Sequence, residues 1–461
     1  MARSWATLGV DLHLEPTGPG LRRGLTDALR EAVRSGRLAP GTRLPSSRAL
    51  AVDLGIARNT VADAYADLVA EGWLTARQGS GTRVAERVVV PPSGTPRAHR
   101  NSAHPTYDLR PGTPDLAAFP RAAWLKAARR ALTAAPNEAF GYGDPRGRVE
   151  LRTALAGYLA RARGVRTDPD RILVVSGFRH GLRILGTILH ARGTRAVAVE
   201  SYGLTFHEQQ LTAAGLRTSP LPFDDLGTNV AGLTDEGAVL LTPAHQFPMG
   251  LPLHRDRRAA LVDWARRTGG LVLEDDYDGE FRYDRQPVGA LQGLDPDRVA
   301  YLGTASKSLA PGLRLAWMVL PPGLVEAATD AKGGGETCGV PDQLTLAEFL
   351  TSGAYDRHVR ASRLRYRRRR DALVTALATR APEVHVTGIA AGLHAVLRLP
   401  PGTEQTVIQA AAWQGLALHG LSYFRHASAA ADPTDALVVG YGTPPDSAWA
   451  GALEALCRVL P

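Results

Sequence analysis

Five short apolar runs, separated by stretches of helical periodicity, constrain this chain more than any other feature. They are Ile172-Leu173-Val174-Val175, Ala196-Val197-Ala198-Val199, Ala238-Val239-Leu240-Leu241, Leu271-Val272-Leu273 and Val299-Ala300-Tyr301-Leu302. A run that is apolar at every position, rather than at alternate ones, has to be covered on both faces. Strands alternating with helices therefore predict an α/β fold with a mostly parallel central sheet between helical layers. Open sheets of this kind bind ligands beyond the carboxyl ends of their strands. Polar residues sit there: Val175 gives way to Ser176-Gly177-Phe178-Arg179, Leu273 to Glu274-Asp275-Asp276-Tyr277-Asp278, and Leu302 to Gly303-Thr304-Ala305-Ser306-Lys307.

The last of these segments carries the most specific chemistry. Lys and Arg together number 54, yet only Lys126, Lys307 and Lys332 are lysines. A lysine kept against that bias is expected to be needed as an amine, because Arg cannot lose its proton whereas a desolvated Lys becomes a neutral nucleophile toward an aldehyde. Thr304 and Ser306 place hydroxyls on one side of Lys307 and Arg314 a guanidinium on the other, an arrangement suited to a phosphorylated aldehyde such as pyridoxal 5'-phosphate. The helix opened by Ser176 to Arg179 offers free N–H groups and a favourable dipole to the same phosphate. In an extended segment Asp275 and Tyr277 point to one side. There the Asp holds a pyridine nitrogen protonated and the Tyr reaches the neighbouring ring oxygen. The residues alone leave two alternatives open, a solvated lysine beside a Ser/Gly/Pro loop and a divalent metal site at the acidic cluster.

The first ninety residues follow another plan. Leu21, Leu25, Ala28, Leu29, Ala32 and Val33 recur at helical spacing up to Ser35-Gly36, where Gly suits a left-handed cap. Pro45-Ser46-Ser47 opens a second helix, capped by Ser46 or Ser47 and ending at Gly55. A third places Val61, Ala64, Tyr65 and Leu68 on one face and leaves Arg58, Asn59 and Thr60 at its exposed start. Two short helices at a tight turn are the layout that puts a recognition helix into the major groove, where Arg pairs with guanine and Asn with adenine. Trp73 to Ala76, Arg77-Gln78-Gly79-Ser80-Gly81 and Thr82-Arg83-Val84 then read as a hairpin wing with Arg on both arms. Residues 1–90 hold twelve Arg against nine Asp plus Glu, so positive charge here has to be local.

The 461 residues carry a formal net charge of +9, which suits an acidic partner without identifying one. Cys338 and Cys457 are the only cysteines, giving neither a disulfide framework nor metal-ligand spacing. Met1 to Val10 lacks the basic and apolar regions of a secretion signal, and no apolar run reaches 18 residues. A cytoplasmic protein with no membrane contact is expected. Pro91-Pro92-Ser93-Gly94-Thr95-Pro96 and Asn101-Ser102-Ala103-His104-Pro105 lie in a stretch without periodicity. The expected organisation is a DNA-binding domain at 1–86, a Pro-rich linker at 87–106 and a ligand-binding domain at 107–461.

The first part resembles the winged helix-turn-helix of the GntR family, through Gly36-Arg37-Leu38-Ala39-Pro40-Gly41-Thr42-Arg43-Leu44-Pro45-Ser46-Ser47-Arg48 and Gly55-Ile56-Ala57-Arg58-Asn59-Thr60-Val61. The resemblance implies contacts to double-stranded operator DNA from Arg48, Arg58, Asn59 and Thr60, and from Arg77, Gln78, Gly79 and Ser80 in the wing. Ala57 stands where that family usually has Ser or Thr. Residues 107–461 resemble fold-type I aminotransferases, which have a smaller C-terminal α+β subdomain. The matches are Pro111-Gly112-Thr113-Pro114-Asp115, Tyr142-Gly143-Asp144-Pro145-Arg146-Gly147, Pro243-Ala244-His245-Gln246-Phe247-Pro248-Met249-Gly250, Glu274 to Asp278 and the Lys307 loop. By that resemblance Lys307 is the Schiff-base lysine, Asp275 the pyridinium partner and Tyr277 the ring-oxygen donor. Thr304, Ser306, Arg314 and the Phe178-Arg179 turn hold the phosphate, His245 belongs to the site, and Tyr142 reaches the partner subunit's site in a domain-swapped homodimer.

The fusion of the two resembles the MocR (GabR-like) regulators, as does the basic stretch Arg363 to Arg370, which by itself reads as a solvated helix. The resemblance implies a transcriptional regulator that senses pyridoxal phosphate at Lys307, with an amino compound as a further effector, rather than an enzyme. An active aminotransferase with an accessory DNA-binding domain is the alternative. Two departures bear on this. Glu200-Ser201-Tyr202-Gly203-Leu204 replaces the usual Pro-Gly-Tyr element, so either Tyr202 or Leu204 packs against the cofactor ring. Leu437-Val438-Val439-Gly440-Tyr441 lacks the Arg that clamps a substrate carboxylate in transaminases, leaving Arg425 and Arg398 as substitutes. Poor amino-acid turnover is expected, with the cofactor itself as signal and vitamin B6 synthesis as the controlled process.

Overall fold

A computed structural model describes residues 20–77, 81–86, 105–283, 288–333, 338–430 and 434–461. Nearly all of the expected linker, the wing residues Gln78, Gly79 and Ser80, and the N-terminal stretch Met1 to Val10 lie outside the described residues. The chain divides into two compact units, Met1–Ser102 and Ala103–Pro461.

In the first unit, helices Leu21–Arg34, Ser47–Leu54 and Arg58–Ala70 precede an antiparallel hairpin, Leu74–Arg77 with Gly81–Val84. Local chemistry sets the boundaries. Ser46 Oγ accepts from the Ala49 N–H at 3.2 Å, and Gly55 closes that helix at φ 65°, a conformation that costs glycine little. Leu25, Leu29, Leu50, Val61, Leu68, Leu74 and Val84 form the core. The Tyr65 hydroxyl donates to the Pro45 carbonyl at 3.0 Å and ties the third helix to the start of the second. Arg22–Asp67 and Arg30–Glu71 clasp the first helix to the third. Exposed pairs contribute only about 0.2–1 kcal/mol each, against about 1.5–3 kcal/mol per buried Leu or Val, so the apolar core decides this fold.

The second unit is built on a seven-stranded sheet in the order 172–175, 316–319, 299–304, 271–276, 238–241, 196–200, 217–221. Neighbours from 299–304 to 217–221 run parallel. The five apolar runs are all strands of this sheet, and two further strands join them. Ala316–Val319 lies antiparallel to both Val299–Thr304 and Ile172–Val175, so among the described residues Ile172–Val175 has no parallel partner. Arg217–Leu221 is an edge strand, where a polar sequence containing Pro220 is tolerated. Alternate residues bury on opposite faces: Leu173 and Val175 pack with Leu182, Leu185 and Met318, while Ile172 and Val174 pack with Leu155, Trp317 and Phe349. This two-sided burial is the cause of the uninterrupted apolar runs.

A smaller α+β part carries the antiparallel order 385–387, 395–398, 436–439, 419–420, covered by helices Ala354–Arg380, Glu404–Trp413 and Asp446–Val459. The basic stretch lies in the long helix, but it is not simply solvated. Arg369 is 3% exposed and donates to the Asp115 carboxylate at 3.0 Å and to the carbonyls of Tyr441 and Pro444 at 3.1 and 2.7 Å. Among the described residues no helix is long and apolar enough to cross a membrane.

Candidate functional site

A cavity of about 230 Å³ opens at the carboxyl ends of the strands 196–200, 271–276 and 299–304, lined by Glu200, Asp275 and Thr304 among others. The polypeptide supplies its groups in the way the strand ends foretell. Asp275 is the penultimate residue of its strand and Tyr277 follows two positions on, so both face the cavity. Asp276, on the opposite side, pairs with Arg163 at 2.6 Å and accepts from the Tyr301 hydroxyl at 2.8 Å. Asp275 is 6% exposed, and no hydrogen bond from the described residues reaches its carboxylate. Burial drives its pKa well up; Lys307 opposes the rise, while Asp276, Glu200 and Asp278 reinforce it.

Lys307 lies across from this carboxylate in the same lining. Its ammonium donates to the Gly112 carbonyl. Burial lowers its pKa, against the pull of Asp275 and Asp278, so the amine gives up its proton more readily than an exposed lysine. Thr304 Oγ1 donates to Ser306 Oγ at 2.9 Å and accepts from the Ser306 N–H at 3.1 Å, which sets the loop before Lys307. Arg314 closes the other side by donating to the Ser176 carbonyl. It is the single non-glycine residue with positive φ among those described, at 53°, a strained conformation typical of functional loops. Gly177 has φ 98°, and a Cβ there would lie 2.4 Å from the Arg314 guanidinium. Its glycine permits the helix Phe178–Ala191 to begin against Arg314. The first-turn N–H groups of this helix have no partner within it.

The expected site residues divide into those the fold gathers and those it does not. Lys307, Asp275, Tyr277, Thr304, Ser306, Arg314, Phe178 and Arg179 all line the cavity. His245 stands behind Tyr277: its Nδ1 is 2.8 Å from the Asp278 carboxylate and 3.1 Å from the Tyr277 hydroxyl. It positions Tyr277 without reaching the cavity. Tyr202 does not line the cavity either. It is buried with Phe247, Met249 and Phe424, and Leu204 takes the cavity wall instead, because the Tyr202–Arg425 bridge turns this segment toward the smaller subdomain. Tyr142 is fully exposed and outside the cavity. Arg425 and Arg398 are exposed and do not line it, and the strand Ala436–Val439 is apolar and buried.

Sequence reading missed Gly112, Glu200, Phe206, His207, Thr242, Phe247, Leu393 and His394. Glu200 and Thr242 carried a usable signal, since each follows an apolar strand as Asp275 does. The Glu200 carboxylate accepts from Thr242 Oγ1 at 2.6 Å and Thr228 Oγ1 at 2.8 Å, and burial raises its pKa to about 7. His207 packs on Phe178 with ring centroids 4.7 Å apart; burial, with Lys307 and Arg179 nearby, lowers its pKa to about 3, so it is a neutral imidazole.

In the first unit Arg48, Arg58 and Asn59 are exposed and Thr60 half-buried at the start of the third helix, with Arg77 exposed on the hairpin. Ala57 caps that helix without a side-chain hydrogen bond. Arg83 is exposed on the second arm of the hairpin and donates to the Gly41 carbonyl at 2.9 Å.

Comparison with known proteins agrees with both units. Residues 108–430 match the family of class I and II aminotransferases, and residues 21–84 match the gntR family of bacterial regulatory proteins. The chain is 34% identical over 434 residues to the HTH-type pyridoxine biosynthesis transcriptional regulator PdxR of Corynebacterium glutamicum, covering 93% of each chain. It is 33% identical over 448 residues to the probable rhizopine catabolism regulatory protein MocR of Rhizobium meliloti, covering 91% of this chain and 90% of that one. Among solved structures, the kynurenine aminotransferase of Pyrococcus horikoshii superposes with a TM-score of 0.69 at 26% identity, over 78% of this chain and 91% of that one. With a GntR winged helix-turn-helix joined to a fold-type I aminotransferase-like domain, the chain belongs to the MocR family of HTH-type transcriptional regulators.

Proposed function

We propose that this regulator binds pyridoxal 5'-phosphate at Lys307 and uses it to sense the cofactor, with a small amino compound as a further effector. The observation that carries the reading is a half-buried amine of lowered pKa and a buried carboxylate that takes no hydrogen bond among the described residues, Lys307 and Asp275, lining one cavity beside an anion cradle. The donor set fits the group. Asp275 offers its open carboxylate to a protonated ring nitrogen, and Tyr277, oriented by His245 and Asp278, offers a hydroxyl to the ring oxygen. Thr304, Ser306, Arg314 and the Phe178 and Arg179 N–H groups suit a phosphate dianion. When bound, pyridoxal phosphate supplies a carbonyl that condenses with a primary amine. Lys307, with its lowered pKa, is the chain's own amine for that carbonyl.

Binding regulates only if the ligand has different affinities for two arrangements of the protein. The winged helices are the output, with Arg58, Asn59 and Thr60 reading bases, Arg48 and Arg77 holding phosphates, and the linker carrying the coupling. In a homodimer, with Tyr142 extended toward the partner's site, two such units would span half-sites about 34–36 Å apart or a multiple of this. An aminotransferase role has support in the complete Lys307, Asp275 and Tyr277 set and in the solved relatives. The apolar Ala436–Val439 strand weighs against it, since a carboxylate loses its usual clamp there. Gel shift on the protein's own upstream DNA, with and without pyridoxal phosphate, tests the regulatory reading. A ligand-dependent change in the complex is expected, and an unchanged complex with a fully loaded protein overturns it. A transaminase assay over a panel of amino acids tests the other reading.

A further inference from the structure

The residue that follows Lys307 is held from outside the cavity. Ser308 is 3% exposed and does not line it. Its Oγ lies 2.8 Å from the hydroxyl of Tyr355, which is 1% exposed on the first turn of the helix Ala354–Arg380. One turn on, His358 Nε2 lies 2.7 Å from the Ser308 carbonyl. A single helix therefore grips both the side chain and the carbonyl of Ser308. The Tyr355 hydroxyl also lies 3.0 Å from Glu280 Oε1, so its one proton and a lone pair serve both neighbours. Glu280 follows Tyr277 in the same segment and takes a second phenol, Tyr158, at 3.1 Å. The Tyr158 and Tyr355 rings meet edge to face with centroids 5.0 Å apart. The segment that carries Asp275 and Tyr277 is thus joined to the lysine loop through a phenol that does not line the cavity.

A lysine amine sits on a flexible stem, so the fold can aim it only by fixing the backbone beneath. A misplacement of about 1 Å at a reacting group costs roughly a hundredfold. Building on the reading of Lys307 as the cofactor lysine, we infer that Tyr355 is a positioning residue for its amine. Through Ser308 it fixes the loop that aims Lys307 at the aldehyde carbon, and through Glu280 it registers that loop against Asp275. The step it serves joins Lys307 Nζ to that carbon by a double bond, and the aldehyde oxygen leaves as water with the two protons of the neutral amine. Ser306 is held from the other side by Thr304, so the hold on ring and phosphate does not depend on Tyr355. Its effect falls on bond formation at Lys307.

The test compares pyridoxal phosphate with pyridoxamine phosphate, which has the same ring and phosphate but an amine in place of the aldehyde, and so cannot condense with Lys307. Full-length wild type, Tyr355→Phe, Ser308→Ala and the double variant are titrated calorimetrically with each. In Tyr355→Phe the ring packing is kept and Tyr158 still partners Glu280. Each single variant is expected to bind pyridoxal phosphate about tenfold or more weakly, with pyridoxamine phosphate unaffected. The double variant should lose no more than either single one, since both changes break the same contact. Losses that add in the double variant, losses shared by pyridoxamine phosphate, or single variants within about twofold of wild type for pyridoxal phosphate overturn the inference. A wild-type protein that binds pyridoxal phosphate yet carries no borohydride-fixed label on Lys307 removes the cofactor reading beneath it as well.

Discussion

Arg163 and Asp276 form a buried bidentate pair, with Nε and Nη2 at 2.6 and 3.0 Å from the two carboxylate oxygens, directly behind the carboxylate of Asp275. Arg163 also donates to the Gly279 carbonyl at 3.1 Å. Arg163 thus holds the chain on both sides of Tyr277, at the residue that follows Asp275 and at Gly279. Removing one partner strands a buried charge, so Arg163→Ala should cost about 3–5 kcal/mol in urea unfolding of the larger unit. A loss below 1 kcal/mol would show that this pair does not hold the strand end.

Lys307→Arg preserves charge and approximate size but not the ability to become a neutral amine. After borohydride reduction of protein incubated with pyridoxal phosphate, the wild type should carry the added mass on the peptide containing Lys307, and Lys307→Arg should carry none there. Labelling at Lys126 or Lys332 with Lys307 unmodified would defeat the assignment.

Glu200 gives a pH dependence with a definite sign. Its folded pKa, raised by burial to about 7 from 4.5, means that the native state holds the proton more tightly than the unfolded chain. The stability it contributes is complete below pH 4.5 and is lost as pH rises to about 7. Gln mimics the protonated form, so the stability of Glu200→Gln relative to wild type should increase between pH 5 and pH 8, by roughly 3 kcal/mol at most. Denaturant midpoints at the two pH values check this, and a difference that is flat or falls contradicts it.

The helix Arg58–Ala70 begins at Ala57 without a side-chain cap. Ala57→Ser should therefore stabilise the winged-helix unit by about 0.5–2 kcal/mol in thermal unfolding. Asn59→Ala should relax base preference at one operator position by about 1–3 kcal/mol, with little change in the salt dependence of binding. A uniform loss across all sequences would instead place Asn59 on a phosphate.

How much of the site was legible depended on distance along the chain. Asp275, Thr304, Ser306 and Lys307 follow apolar strands directly, and an extended backbone dictates which neighbours share a side. Phe178 and Arg314 were legible through anion chemistry on a helix start and a loop. Gly112 stood in a matched motif, but nothing local showed that its carbonyl meets the Lys307 amine from 195 residues away, and Leu393 and His394 had no local mark at all. The two unforeseen strands failed for separate reasons. Arg217–Leu221 is polar because its edge is half-covered, and Ala316–Val319 is a short run whose direction follows from the Arg314 loop returning the chain.

Local chemistry written in the sequence determined the helix ends at Ser46 and Gly55, the strand runs covered on both faces, and an amine kept among arginines. Each depends on backbone and side chains within a few residues of one another. Tertiary packing decided that Leu204 rather than Tyr202 faces the cavity, that Arg369 is buried against Asp115, and that Arg179 lies over Phe206. Those outcomes depend on which surfaces meet when distant segments fill one close-packed interior, and no short stretch of sequence carries that information.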